Sequence, residues 1–194
     1  MNSPEDSDII IITAIERWIA EAVIGLNLCP FAHAPFAAGQ IRHVVCRPAS
    51  PEILIEVFAQ ELEHLRQTAP EICETTLLIV ADAPFAKRFR DFNDLTGVAD
   101  DLLVELGHEG ELQLASFHPQ FQFAGTQKND VSNFTNRAPY PVWHLLREAS
   151  VTRAVDALPN PDAIYERNIA TLRNLEEAHR LSLFGTYAAK NRHG

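Results

Sequence analysis

Ile12, Ile15, Ile19, Ala22 or Val23, and Leu26 recur at three- and four-residue steps, the spacing that gathers side chains on one face of a helix. This predicts a first helix over about residues 7–28, ending near Cys29 because Pro30 disfavours helical backbone in the residue before it. Ile41–Cys46 reads as a short strand. Ser50-Pro51 then supplies an N-cap and a first-turn proline for a second helix carrying Leu54, Val57, Phe58, Leu62 and Leu65 on one side. Thr75–Ala81 is β-branched and almost continuously apolar, as a strand covered on both faces should be. A third helix from about Ala86 has Phe89, Phe92, Leu95, Ala99, Leu102 and Leu106 as its stripe and Gly107 as its stop. Leu112–Phe117 is the third strand.

Strands alternating with helices predict an α/β fold: a single domain with a small, mainly parallel sheet flanked by helices, the first helix packed across it. From Pro119 to Pro139 the pattern has no period, and a structureless stretch of that length inside a compact domain is usually functional or disordered. Phe121, Phe123 and Phe134 argue for order. A fourth helix is expected from Pro141, with Val142, Leu145, Leu146 and Ala149 inward, and a fifth capped by Asn160-Pro161 with Ile164, Ile169, Leu172 and Leu175. The expected domain is 8–184, between a disordered N-terminus at 1–7 and a tail at 185–194 that frays.

With 194 residues, 46% hydrophobic and 22% charged, the chain suits one ordinary globular core. A formal charge of −10 repels phosphate backbones and anionic membranes, and the densest basic cluster, Lys87, Arg88 and Arg90, reads as a solvated helix face. No nucleic-acid or membrane partner is expected. Three cysteines without a CxxC pair indicate neither a disulfide framework nor a thiolate zinc site, and the acidic start lacks the signature of a signal peptide. A cytoplasmic location is expected.

In an open parallel sheet, ligands bind beyond the carboxyl ends of the strands. That selects Cys46-Arg47, Asp82 and His118-Pro119. His118, held extended by Pro119, suits acid–base work near neutrality, or it is a histidine hydrogen-bonded at a strand end. Asn133–Pro141 places amides, a hydroxyl and Arg137 ahead of the expected fourth helix. That reads as an anion clamp oriented by Thr135 and Asn136, with Tyr140 beside it, or as a loop pinned by its own turns with Arg137 on loop carbonyls. On that helix His144, Arg147 and Glu148 would share the side away from the core, and with His118 and Asp130 they offer only a weak case for a metal. Cys29, at the end of the first helix, sits where the dipole disfavours a thiolate, so packing competes with a nucleophilic role.

Gly25–Ala32, Thr75–Ile79, Ala115–Pro119, Asn136-Arg137, Pro139–Pro141 and His144–Glu148 together resemble the bacterial and plant family termed domain of unknown function 1415, over roughly residues 8 to 176. The resemblance implies one domain and points to Cys29, His118, Asn136, Arg137 and His144, without implying a reaction. The sequence thus favours an enzyme acting on a small anionic metabolite, phosphorylated or carboxylated. His118 is its acid or base, Arg137 its clamp, and Cys29 and Asp130 are secondary catalytic candidates. The alternative is a non-catalytic module that binds a metabolite or protein through the same loop, with Phe121 and Phe123 exposed. No cofactor and no oligomeric state are indicated.

Overall fold

A computed structural model describes residues 4–157, 160 and 163–184. Helix α1 (Pro4–Trp18) begins earlier than expected and runs into a π-helical turn, Ile19–Ile24. A short helix α2 (His33–Ala37) leads to β1 (Ile41–Cys46), α3 (Pro51–Gln67), β2 (Thr75–Val80), α4 (Phe89–Glu105) and β3 (Leu112–Phe117). After the long connection come β4 (Val142–Arg147), α5 (Glu148–Asp156), α6 (Ile164–Arg173) and α7 (Glu177–Phe184). Pro161 of the expected cap and the tail after Phe184 lie outside the described residues.

The sheet order is β1-β2-β4-β3, with β1 and β2 parallel and β4 antiparallel to both its neighbours. Two expectations are corrected here. Residues 142–147 form a strand rather than the start of a helix, and the sheet is mixed rather than mainly parallel. The physical reason is double burial. In β4, Trp143 and Leu145 enter one core layer with Phe58, Phe92 and Leu112, while Val142 enters the other with Ile15, Leu77 and Leu172. A six-residue segment apolar on both faces fits a central strand, and its Leu145-Leu146 pair also satisfies helical spacing, so the pattern alone did not separate the two.

The second layer, between the sheet and α1, holds Ile15, Trp18, Ile19, Leu77, Ile79, Phe134 and Phe184. Alternation along β4 therefore turns His144 toward α1, and Arg147 toward the carbonyls of Leu65, Thr68 and Cys73 at the end of α3 and beyond it. Among the described residues no helix is long and apolar enough to cross a membrane.

Candidate functional site

The chain between the π-helical turn and α2 carries Cys29. Gly25 closes the turn so tightly that a Cβ there would lie 2.4 Å from the Glu21 carbonyl oxygen, a backbone atom with little room to yield. Asn27 follows in the left-handed region at φ 52°. The segment is held from α6, where Asn168 Nδ2 donates to the Leu28 carbonyl at 2.7 Å and Arg167 to that of Asn27 at 3.2 Å. Gly25→Ala is expected to cost about 2 kcal/mol, read as a lower urea midpoint, because the added methyl forces the turn open.

Cys29 is followed by a new helical turn from Pro30 into α2, so it does not end the first helix as the sequence suggested. The backbone N–H groups of Phe31 and Ala32 donate to its sulfur and favour a thiolate, but burial outweighs them and pushes the thiol up from its ordinary value. Cys29 is partly accessible, whereas Cys46 and Cys73 are buried.

His144 is fixed by Thr75. The Thr75 hydroxyl has a single proton and gives it to the Leu145 carbonyl at 2.6 Å, so the 2.8 Å contact with His144 is donated by the ring's Nε2–H. Nδ1 therefore keeps its lone pair and makes no hydrogen bond within the described residues. The rings of Phe31 and Phe117 stand 6.5 and 6.2 Å from the imidazole, and desolvation pushes its pKa down to about 4. The ring is thus neutral at physiological pH.

His144 and Cys29 line one small cavity of about 50 Å3 with Thr75, Phe31, Phe117 and Trp18. Cys29, Trp18, Val23 and Phe117 also border a larger cavity of about 370 Å3, whose other walls include Asn136, Thr135, Asn168, Tyr165 and Phe184. Cys29 borders both. Among the described residues neither lining includes a side chain charged at neutral pH.

The other predicted residues lie elsewhere. His118 is 1% exposed on the opposite side of the sheet, with Nδ1 accepting from the Gln120 N–H at 2.9 Å and Nε2 donating to the Ala86 carbonyl at 3.0 Å. Its ring packs on Phe89 and Phe92, and burial lowers its pKa. It has no ring nitrogen left for a substrate and is not brought to Cys29. Arg137 donates to the carbonyls of Lys128 and Phe121 and stacks 4.2 Å from the Phe134 ring centroid. The segment that follows is β4 instead of a helix, so the helix N-terminus expected beside it is not formed there. Asp130 caps the 3-10 turn Val131–Asn136 by accepting from Ser132, and Glu148 opens α5 after the strand. Tyr140 packs into the layer beneath α1. Asn133, fully buried, ties the loop together by accepting from the Phe123 N–H and the Thr126 hydroxyl and donating to Gln127. Phe121 is likewise buried, its ring tilted against Phe89 and edge-on to Phe123, and Phe123 is half-buried, so neither is exposed as a loop-borne recognition module would require. Among the described residues no group of three or more His, Cys, Asp and Glu is placed to hold a metal ion.

Of the motifs quoted from the sequence, Cys29 and Phe117 therefore line both cavities, Asn136 the larger and His144 the smaller. The family described as "Protein of unknown function (DUF1415)" matches residues 10–181. The chain belongs to this family. No curated protein and no solved structure matches it. Trp18, Thr75 and Asn168 were missed by sequence reasoning. Each looks like a core or helix-surface residue until the fold brings together positions as distant as Leu28 and Asn168.

Proposed function

We propose that the protein is an enzyme that moves a proton on a small uncharged molecule bound in these cavities, with Nδ1 of His144 as base and the Cys29 thiol as acid. The unpaired Nδ1 of His144, a residue that lines the same small cavity as Cys29, carries this reading. The depressed imidazole stays unprotonated and the raised thiol stays protonated at neutral pH, so one group is ready to accept and the other to donate. A carbon next to a carbonyl fits the pair. Its proton passes to Nδ1, the thiol proton goes to the carbonyl oxygen, and the enol forms without a charged side chain in the resting site. The anionic substrate expected from the sequence finds less support, because Arg137 is engaged by loop carbonyls and the described residues of both linings carry no charge.

The test is exchange of carbon-bound hydrogen in D2O, followed by NMR on acetophenone, cyclohexanone and related small ketones. Wild-type protein is expected to accelerate exchange, and His144→Gln and Cys29→Ser to slow it by about a hundredfold or more. Equal rates in wild type and His144→Gln, or no acceleration with any ketone, would remove the proposal.

A further inference from the structure

We infer that Arg137 and Arg180 together form a site for a small tetrahedral dianion of the phosphate or sulfate class, outside the two cavities. Neither arginine lines either cavity, so the site is independent of the proton-transfer reading.

The two side chains come from distant parts of the chain, Arg137 from the loop before β4 and Arg180 from α7. Both stack on the buried ring of Phe134, with their guanidinium carbons 4.2 and 5.2 Å from its centroid. The two charges therefore lie no further apart than those distances added together. Such stacking suits a guanidinium, which is flat and weakly hydrated. Each group is also pinned by backbone carbonyls. Arg137 donates through Nε and Nη2 to Phe121 and Lys128, and Arg180 through Nη1 to Leu172 and Leu175. Nη1 of Arg137 and Nη2 of Arg180 are left over. Neither makes a hydrogen bond within the described residues, and both are open to solvent, whereas Nε of Arg180 is sealed off. The charge is also uncompensated. The chain has 26 acidic residues against 16 lysines and arginines, yet no described carboxylate forms an ion pair with either arginine. Burial and the neighbouring Arg180 push the Arg137 guanidinium down from its ordinary value. Two half-buried cations that repel each other, each held in place with a donor to spare, are relieved by an anion that accepts from both. Two positive charges favour a dianion over a singly charged carboxylate. A tetrahedral anion offers oxygens in more directions than a flat carboxylate, which suits donors on two separate side chains.

Sulfate, doubly charged throughout the neutral range, is the probe. It is titrated against the whole chain near neutral pH, with ionic strength held constant by sodium chloride, and followed through the backbone amide signals by NMR. The signals of Arg137 and Arg180 are expected to shift and saturate, and acetate to bind at least about tenfold more weakly. Arg180→Gln, which removes one of the two charges, is expected to weaken sulfate about tenfold or more. Arg180→Lys keeps a charge but not the guanidinium fork and is expected to weaken it several-fold, so the comparison survives even where Arg180→Gln does not fold. Circular dichroism separates loss of binding from loss of fold. Shifts that never saturate, acetate binding as tightly as sulfate, or sulfate affinity unchanged in a folded Arg180 variant would each overturn the inference.

Discussion

His118→Ala is expected to destabilise the protein by about 3 kcal/mol while the hydrogen exchange assigned to His144 continues in the fraction that stays folded. The substitution leaves the Ala86 carbonyl and the Gln120 N–H without their partners and opens a void against Phe89 and Phe92. For a domain of this length the melting temperature should fall by roughly 6–12 °C. Calorimetry and the exchange assay together check the prediction. Loss of exchange in a His118→Ala protein that melts like wild type would return His118 to the catalytic role suggested by its place at the end of β3.

Acidification is expected to weaken the fold well above the range in which carboxylates protonate. Desolvation holds the pKa of His144 down to about 4 in the folded protein, against the ordinary 6.5 of a solvated imidazole, so the unfolded chain binds the proton that the folded one refuses. The stability contributed by the neutral buried ring is fully present above about pH 6.5 and declines as the pH falls toward 4, by on the order of 3 kcal/mol in all. Burial lowers the pKa of His118 and His43 as well, so both act with the same sign. Asp130 acts with the same sign in a lower window: its hydrogen bonds from Ser132 hold its carboxyl below the ordinary carboxylate value, and its contribution is lost only as the pH falls through that range. Urea midpoints at pH 7, 5.5 and 4 should fall progressively, and less steeply in His144→Gln. A wild-type midpoint flat from pH 7 to 4 would contradict the burial of His144.

Much of the scaffold was legible because the relevant signals were local. Ser50-Pro51 starts α3 at Pro51, the continuous apolar run from Thr75 is β2, and Gly107 takes the positive φ of 75° that stops α4. The segment 142–147 defeated local reasoning, because Val-Trp-His-Leu-Leu-Arg is consistent with helical spacing and with a strand buried on both faces. Only its pairing to β2 and β3 decides between them. That misreading gave His144 the wrong neighbours and Arg137 an expected helix N-terminus that is not there. A helix put His144, Arg147 and Glu148 on one side, whereas a strand sends His144 toward Cys29 and Arg147 to the end of α3. The turn after Cys29 was available as a signal, since proline suits the first helical position. The partners that give the cavity its chemistry were not, because Thr75 and Asn168 meet His144 and Leu28 only through tertiary contacts.

The state of His144 is the point on which the functional account turns, and 15N NMR of the imidazole reads it directly. The account predicts a neutral ring with the proton on Nε2 and a bare Nδ1 from pH 8 down to pH 5, with protonation only near pH 4. A ring that titrates near 6.5, or one that carries its proton on Nδ1, would contradict it.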